Sequence, residues 1–312
     1  MGNVVLIRDL NEIMKMKNYY SANLLEKIPP GGVFAAKTPS CMITAYKSGK
    51  VLFQGNTGEE ESKKWGEASD KLPSFTQKKP SAGNLPQNFS SLSVIGSDEV
   101  GTGDFFGPIT VVAAYVKKED IPLLKELGVR DSKDLNDEKI SEIAKQIKDI
   151  VPHSLLTLHN EKYNQLQQSG MTQGKIKALL HNQALAHVLN KIAPTKPEAI
   201  LIDQFVQSST YYQHLKGQKT IVKENVFFST KAEGVHIAVA AASILARHAF
   251  VQHFENLSEA AGFKIPKGAG AQVDLAAAKL IMAKGKEVLP KFVKLHFANT
   301  EKALTLVKKK RG

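Results

Sequence analysis

The stretch that most constrains the fold is an apolar segment that ends in two adjacent carboxylates and is followed by a glycine-rich turn and a second apolar segment. Residues 92–97 form the first segment, Asp98 and Glu99 follow it, and residues 109–116 form the second. Short apolar runs bounded by turn residues predict buried β-strands. Two carboxylates at the end of a buried strand are costly unless positive charge meets them.

Two further carboxylates lie at the ends of predicted elements. Asp203 closes an apolar run that predicts a central strand, and Glu233 begins a predicted helix of small apolar residues. Crowded carboxylate oxygens select Mg²⁺ or Mn²⁺. We therefore expect Asp98, Glu99, Asp203 and Glu233 to hold two divalent ions suited to phosphoryl chemistry. Taken singly, these acidic residues are equally compatible with a solvated turn or with a complement to a helix N-terminus.

The glycines after the carboxylates bear on whether Asp98 and Glu99 share one site. Adjacent residues of a regular strand point to opposite faces of the sheet. Gly101 and Gly103 permit a bend at this point because glycine adopts backbone conformations that other residues avoid. We therefore expect the strand to bend here so that both carboxylates face one site.

The chain after about residue 85 alternates between predicted strands and helices, which indicates an α/β fold with a mixed sheet flanked by helices. The predicted strands are residues 92–97, 109–116, 154–159, 198–203 and 219–228. The predicted helices are residues 137–150, 172–192, 233–254, 273–284 and 287–296.

The first 68 residues predict a separate small α+β module. Residues 69–90 are rich in Pro, Ser, Gly and Lys, which predicts a flexible linker. The predicted domains are therefore residues 1–68, 69–90 and 91–312. Within the module, strands are expected at residues 4–8, 32–37, 41–47 and 50–54, and helices at 11–20 and 59–68.

Charge and cysteine content narrow the functional class. The formal net charge is +12, which favours an anionic partner such as nucleic acid, although a basic protein without such a partner has the same composition. The single cysteine, Cys41, excludes an internal disulfide and a multi-cysteine zinc site. No apolar run reaches the length of a membrane span. We expect a cytoplasmic monomer without an obligate protein partner.

Several motifs in a fixed order resemble the type 2 ribonucleases H, and among them the ribonuclease HIII branch. The likeness extends from about residue 91 to residue 300. The sister enzyme, ribonuclease HII, typically has Ala-Asp-Ala where this chain has Ala232-Glu233-Gly234. It typically has Gly-Arg-Gly where this chain has Gly101-Thr102-Gly103, and both differences favour the ribonuclease HIII branch. The motifs are Ser97-Asp98-Glu99-Val100-Gly101-Thr102-Gly103, Asp131-Ser132-Lys133-Asp134-Leu135, Leu201-Ile202-Asp203-Gln204-Phe205, Lys231-Ala232-Glu233-Gly234, Ala240-Ala241-Ala242-Ser243-Ile244-Leu245-Ala246-Arg247 and Ile265-Pro266-Lys267-Gly268-Ala269-Gly270.

The resemblance implies a ribonuclease H fold and an endoribonuclease that cleaves the RNA strand of RNA/DNA hybrids, leaving 5′-phosphate and 3′-hydroxyl ends. It implies Mg²⁺ or Mn²⁺ as cofactor, held by Asp98, Glu99, Asp203 and Glu233. It also assigns substrate contacts. The implied contacts with the ribose, the phosphates or a neighbouring carboxylate come from Gly101, Thr102, Gly103, Ser132, Lys133, Ser243, Arg247 and Lys267.

The N-terminal module resembles the TATA-binding-protein-like domain of ribonuclease HIII, which implies a sheet face that holds the hybrid. Tyr46 is equally compatible with a place in the core of the module. The basic run at residues 308–311 predicts a disordered tail. The residues expected to contact the hybrid are Arg8, Lys37, Tyr46, Lys47 and Lys50.

Three alternatives stay open at this point. The first is incision at single ribonucleotides embedded in DNA, as in ribonuclease HII, and the second is a catalytically silent nucleic-acid-binding protein. The third is another hydrolase or a nucleotidase. For that class, the Gly170–Lys175 segment is one residue short of a phosphate-binding loop and lacks its Ser or Thr. Gly-x-Ser-x-Gly and His-Glu-x-x-His motifs do not occur in the chain.

Overall fold

The computed structural model describes residues 4–29, 31–47, 49–66, 85–86 and 88–311. The chain divides into two compact units. Most of the predicted linker, residues 69–84 and 87, lies outside the described residues. The first unit takes its described residues from 1–78, 119–128 and 145–150, and the second from 79–118, 129–144 and 151–312.

The first unit contains the predicted α+β module together with residues 119–128 and 145–150. Its elements are β1 (Val4–Ile7), α1 (Leu10–Tyr19), β2 (Gly32–Lys37), β3 (Cys41–Tyr46), β4 (Lys50–Gly55), α2 (Gly58–Lys63) and α3 (Ile121–Glu126). The strands form one antiparallel sheet in the order β1-β4-β3-β2.

Helix α1 begins at a capping box. The amide of Glu12 donates to Asp9 Oδ1 at 2.8 Å, and the amide of Asp9 donates to Glu12 Oε2 at 3.3 Å. These two bonds satisfy amides that a helix start leaves without intrahelical partners. Ile13 and Met16 of α1 are buried in one core with apolar residues of the sheet.

The second unit contains a five-stranded mixed sheet with helices around it. Its strands are β5 (Val94–Val100), β6 (Ile109–Val116), β7 (His153–Leu158), β8 (Ala199–Asp203) and β9 (Val226–Ser229). Its helices are α5 (Asn160–Gln168), α6 (Gln173–Ile192), α7 (Ser208–His214), α8 (Ile237–Ala261), α9 (Ala271–Lys284), α10 (Leu289–Phe292), α11 (Asn299–Arg311) and the part of α4 (Asp137–Ile147) that ends at residue 144.

The sheet order is β7-β6-β5-β8-β9, which confirms the expected mixed sheet. Strand β5 pairs antiparallel with β6 and parallel with β8, so it lies at the centre. One face packs on α6 through side chains that include Ile95 and Val111. On the other face, an added Cβ at Gly96 would lie 2.3 Å from the backbone of Ala238. Glycine at this position therefore permits the close approach of α8 to β5.

Helix α8 is apolar around most of its circumference. Among the described residues it is the one helix long and apolar enough to cross a membrane by length and composition, and 67% of its most apolar window is buried inside the protein. A core helix of a globular unit passes the same test. Its contacts with β5 and β6 account for its composition.

Several predicted bounds were wrong. The strand expected at 219–228 is only β9, because the side chain of Asn182 binds the backbone at Thr220 and Val222 and holds that segment outside the sheet. The helix expected at 287–296 is the short α10, and the amide of Lys294 instead donates to the carbonyl of Phe105 at 2.9 Å.

The basic run at residues 308–311 was predicted to be disordered and is helical through Arg311. Two buried side chains one turn apart, Ala303 and Val307, fix helix α11 to the second unit. Lysines in the last turn of a helix also interact favourably with its dipole.

Candidate active site

Asp98 is the most buried of the candidate ligands. It lies on β5 and its side chain is almost entirely enclosed, while its Oδ1 atom accepts from the amide of Glu99 at 2.7 Å. Burial, and then the negative charges of Glu99, Asp203 and Glu233, raise the pKa of Asp98 well above its usual range. The fold therefore brings the four carboxylates close enough together to act on one another's ionisation.

The expected bend at Asp98 and Glu99 was wrong. Strand β5 stays paired with β6 through Val100, and Asp98 lies opposite Val112 and Glu99 opposite Val111. Side chains along a paired strand alternate between faces. Glu99 accordingly meets helix α6, whereas Asp98 lies on the face covered by α8, and the turn begins only after the strand ends.

Both carboxylate oxygens of Glu99 are occupied by basic side chains of α6. Lys177 Nζ lies 2.7 Å from Oε1 and His181 Nε2 lies 3.0 Å from Oε2. On its other side, His181 Nδ1 lies 2.7 Å from Ser97 Oγ, which donates to the carbonyl of Val112. Burial alone would raise the pKa of Glu99, but His181 and Lys177 lower it to about 2.

Asp203 ends β8, as expected, and its Oδ1 atom accepts from the amide of Ala232 at 2.9 Å. Burial raises the pKa of Asp203, the Ala232 amide opposes this effect, and the charge of Glu99 adds to it. The side chain therefore combines partial burial with a single hydrogen bond from the protein backbone.

Glu233 lies in a 3-10 turn at Ala232–Gly234 and not at the start of α8, as the sequence predicted. Its Oε1 atom lies 3.2 Å from both Lys133 Nζ and Ser243 Oγ, and its Oε2 atom accepts from the amide of Ser132 at 3.1 Å. Burial and a hydrogen bond with Asp131 raise the pKa of Glu233 to about 7. The carboxyl group is thus held by four partners.

The four carboxylates supply the oxygen ligands that a divalent ion prefers. Their side chains, however, are not arranged around one point in this structure. Among the residues that the structure describes, no three His, Cys, Asp or Glu side chains are placed to hold an ion. The donors are all oxygen, as Mg²⁺ and Mn²⁺ prefer. Burial, and after it the negative charges of the other three carboxylates, raise the pKa of Asp98, and a divalent ion at the site would oppose the effect of these charges. The donor set therefore fits a divalent ion if Glu99 and Glu233 release their present partners.

The two glycines of the Gly-Thr-Gly turn differ: Gly101 has no room for a side chain, whereas Gly103 does. Gly101 has a φ of +95°, and an added Cβ would lie 2.2 Å from the carbonyl oxygen of Pro108. Gly103 is exposed, with no atom within 4 Å of an added Cβ. Between them, the carbonyl of Thr102 accepts from Gln173 Nε2 at 3.2 Å. Gly101 is therefore required by the fold, whereas Gly103 leaves its backbone accessible.

Ser132, Lys133 and Ser243 form a cluster around Glu233. Ser132 Oγ lies 2.9 Å from Ser243 Oγ, and both residues also bind Glu233. The side chain of Lys133 is 69% exposed, so it combines an ion pair with access to solvent. All three predicted substrate residues therefore contact a predicted metal ligand.

Arg247 and Lys267 converge on one carboxylate, that of Asp137. Arg247 Nε and Nη2 lie 3.1 and 3.0 Å from Asp137 Oδ1, and Lys267 Nζ lies 2.5 Å from Oδ2. Arg247 Nη1 also donates to the carbonyl of Ser132 at 2.5 Å. Arg247 thereby links the Ser132 segment to helix α4, and Asp137 positions both cations.

Comparison with known proteins identifies the family. The family model for ribonuclease HII matches residues 95–300, and that for a domain of unknown function (DUF3378) matches residues 3–78. A curated ribonuclease HIII of Bacillus mycoides is 58% identical over 312 residues, covering 99% of this chain and 100% of the relative. The chain belongs to the ribonuclease HIII family. Residues 101–103 and 232–234 favoured ribonuclease HIII over ribonuclease HII, and this prediction is confirmed.

Two solved structures support the same fold. The crystal structure of Bst-RNase HIII in complex with Mn²⁺ has a TM-score of 0.70 and 48% identity, covering 99% of this chain and all of that one. The ribonuclease H2 of Pyrococcus horikoshii OT3 has a TM-score of 0.56 and 22% identity, covering 70% of this chain and 99% of that one. The second likeness shows the fold alone. The first comes from a ribonuclease HIII that binds a divalent metal.

Sequence reasoning missed four residues around this ribonuclease HIII site. Asp131 belongs to a quoted motif but received no role, and Asp137 lies two residues after that motif. Lys177 and His181 interrupt the apolar stripe of α6 at positions one turn apart. That spacing places two basic groups on one helix face. Their partner, Glu99, is 78 and 82 residues away in the chain, so only the fold shows what they contact.

The N-terminal unit places the predicted hybrid-binding residues differently. Lys37 and Lys47 are exposed, Lys50 is partly exposed, and Tyr46 is buried with 5% of its surface accessible. Arg8 Nε donates to the carbonyl of Trp65 at 2.9 Å, and Arg8 Nη2 contacts the same atom. Arg8 therefore has a structural role within the unit, and Tyr46 belongs to its interior.

Proposed function

We propose that this ribonuclease HIII hydrolyses the RNA strand of RNA/DNA hybrids at Asp98, Glu99, Asp203 and Glu233. The observation that carries the proposal is that β5, β8 and the turn before α8 bring four carboxylates together around buried Asp98, close enough for the other three charges to add to the effect of burial in raising its pKa. A structural core would not retain four mutually repelling carboxylates without a compensating role. Together with the family, this site supports a metal-dependent endoribonuclease.

The four carboxylates would hold Mg²⁺ or Mn²⁺. Such ions, when bound, supply the positive charge that activates water and stabilises the leaving 3′-oxygen, which gives 5′-phosphate and 3′-hydroxyl ends. The Mn²⁺ complex of Bst-RNase HIII supports a divalent ion. The contribution of the chain is to fix the carboxylates on β5, β8 and the turn before α8, and to exclude solvent from Asp98.

Recognition of the RNA strand depends on the 2′-hydroxyl, which DNA lacks. Thr102 is partly exposed and Gly103 is exposed, so the backbone at Gly103 is open to a ribose, while Gly101 shapes the turn. Lys133 and Lys267, both partly exposed at charged clusters, are suited to phosphate contacts. Ser132, Ser243 and Arg247 would act by positioning these groups.

The N-terminal domain at residues 1–68 would add hybrid affinity through Lys37, Lys47 and Lys50, joined to the catalytic domain at residues 91–312 by the linker at 69–90. A tethered domain raises effective concentration even when its own affinity is modest. A chain that begins at residue 86 should therefore bind hybrid more weakly than the full chain. If the shortened chain and the full chain bind hybrid equally well at each of several salt concentrations, the N-terminal domain has no role in binding.

The deciding experiment uses a hybrid duplex with a labelled RNA strand and Mg²⁺. The wild type should cut the RNA strand, and Asp98→Asn should lose at least roughly a hundredfold in rate because a charged ligand is removed. Asp149→Asn, a surface carboxylate, is the matched control. An intact RNA strand with wild type, or normal cutting by Asp98→Asn, contradicts the proposal. A DNA duplex with one embedded ribonucleotide tests the ribonuclease HII alternative, which efficient incision would support.

A further inference from the structure

Glu99 differs from the other three carboxylates in the partners of its oxygens. Asp98 and Asp203 accept from backbone amides, and Glu233 pairs with Lys133, whose side chain is 69% exposed. Glu99 has Lys177 Nζ at 2.7 Å on one oxygen and His181 Nε2 at 3.0 Å on the other. The side chains of Glu99, Lys177 and His181 are 10%, 12% and 0% exposed. Solvent and salt therefore screen this contact far less than that of Lys133.

The ammonium group of Lys177 is held in place by more than the ion pair. Its Nζ atom lies 4.1 Å from the centre of the Phe205 ring, and the ring of His181 stacks on the same phenyl group at 5.1 Å and 24°. Phe205 follows Asp203 by two residues, so one aromatic side chain beside the candidate ligands contacts both Lys177 and His181. His181 is further fixed by Ser97.

We propose that Lys177 is an internal competitor for the divalent ion at Glu99. Its ammonium group occupies Glu99 Oε1 when no ion is bound, and binding of the ion requires this contact to be released. His181 remains on Oε2 as a positioning residue that limits how far the carboxylate moves. The inference rests on the proposed function, because it takes Glu99 as a ligand.

The direction of the effect follows from electrostatics. A lysine on a ligand oxygen opposes the ion twice, first by occupying the oxygen and then by placing a positive charge close to the ion. Removing the charge should strengthen ion binding, whereas removing a merely structural residue should weaken or not alter it.

The test is calorimetric titration of the full chain with Mn²⁺, without nucleic acid. Lys177→Met should lower the dissociation constant by roughly tenfold, and Mn²⁺ should raise the melting temperature of the variant more than that of wild type. Lys177→Gln, which keeps a neutral donor, should behave in the same way, whereas Lys177→Arg should keep the wild-type affinity. The matched control is Lys175→Met, which removes the same charge from the first turn of α6 and should not change the affinity.

The outcomes separate the inference from the proposed function. If the wild type binds no Mn²⁺, or if Asp98→Asn binds it as well as wild type, the ligand set itself is wrong. If Asp98→Asn loses binding while Lys177→Met and Lys177→Gln bind no more tightly than wild type, only the role of Lys177 is overturned. If neither variant folds, the rate at which an amine-specific reagent labels Lys177 in the wild type tests the proposal instead. Lys177 should react faster with Mn²⁺ bound, and an unchanged or slower rate overturns the proposal.

Discussion

Lys294 Nζ lies 2.6 Å from the carbonyl oxygen of Gly107, and 2.8 Å from that of Asp104, with the lysine side chain wholly enclosed. Asn160 Nδ2 donates to the same Gly107 carbonyl at 2.9 Å. These carbonyls belong to the segment that joins the Gly-Thr-Gly turn to β6. Side-chain donors from distant parts of the chain therefore hold the segment behind the proposed ribose-binding turn.

Replacement of this lysine by methionine should destabilise the second unit. Lys294→Met keeps the length of the side chain but leaves the carbonyl of Asp104 without this donor and that of Gly107 with one donor fewer. We expect a loss of about 2 kcal/mol in the free energy of unfolding at pH 9, measured by urea denaturation. Lys291→Met, an exposed change on α10, is the control and should have no effect. An unchanged midpoint for Lys294→Met would show that these bonds contribute nothing.

The pH dependence of the same difference is a second prediction. Burial lowers the pKa of Lys294 from 10.5 to about 7, with the charge of Asp104 opposing the shift. Between these values the unfolded chain binds a proton that the folded chain does not, so stability rises with pH. The free energy of unfolding of wild type relative to Lys294→Met should rise from about pH 7 towards pH 10, by up to about 1.4 kcal/mol per pH unit, so that the advantage of wild type at pH 9 is lost near pH 7. A difference that stays constant over this range would contradict the shift.

Most strands of the large sheet, and the position of Asp203 at the end of β8, followed from apolar runs in the sequence, whereas Asp98 lies within β5 and not at its end. Those runs are local, and β6, for example, is buried at every residue, so the pattern carries the information directly. Helices α5 and α7 were missed because they are short and have few apolar residues at helical spacing. Their formation depends on packing against the rest of the unit.

The electrostatic partners of the site were beyond sequence reasoning for a different reason. The pairing of Lys177 with Glu99, and of Asp137 with Arg247 and Lys267, joins residues far apart in the chain. A charged residue on a helix is by default solvated, and only the fold shows that Lys177 is enclosed. The expected bend at Glu99 failed because pairing with β6 continues past it, which the glycines further on do not reveal.

The two glycines of the turn give the last prediction, since one is required by the fold and the other is not. Gly101→Ala combines a φ of +95° with a Cβ 2.2 Å from the Pro108 carbonyl, and should cost about 3 kcal/mol of stability. Gly103→Ala meets no atom within 4 Å and should unfold like wild type. Thermal unfolding of both variants measures this difference.

If the backbone at Gly103 approaches a ribose, the added methyl group should still weaken hybrid binding. In an Asp98→Asn background, which prevents cutting, Gly103→Ala should raise the dissociation constant for an RNA/DNA hybrid roughly tenfold, equivalent to about 1.4 kcal/mol. Binding of an all-DNA duplex should change much less, because that duplex offers no 2′-hydroxyl to the turn. Fluorescence anisotropy with the two duplexes distinguishes these results. Equal hybrid affinity with and without the methyl group would leave the turn as a structural element only, and recognition of RNA would then lie with other residues.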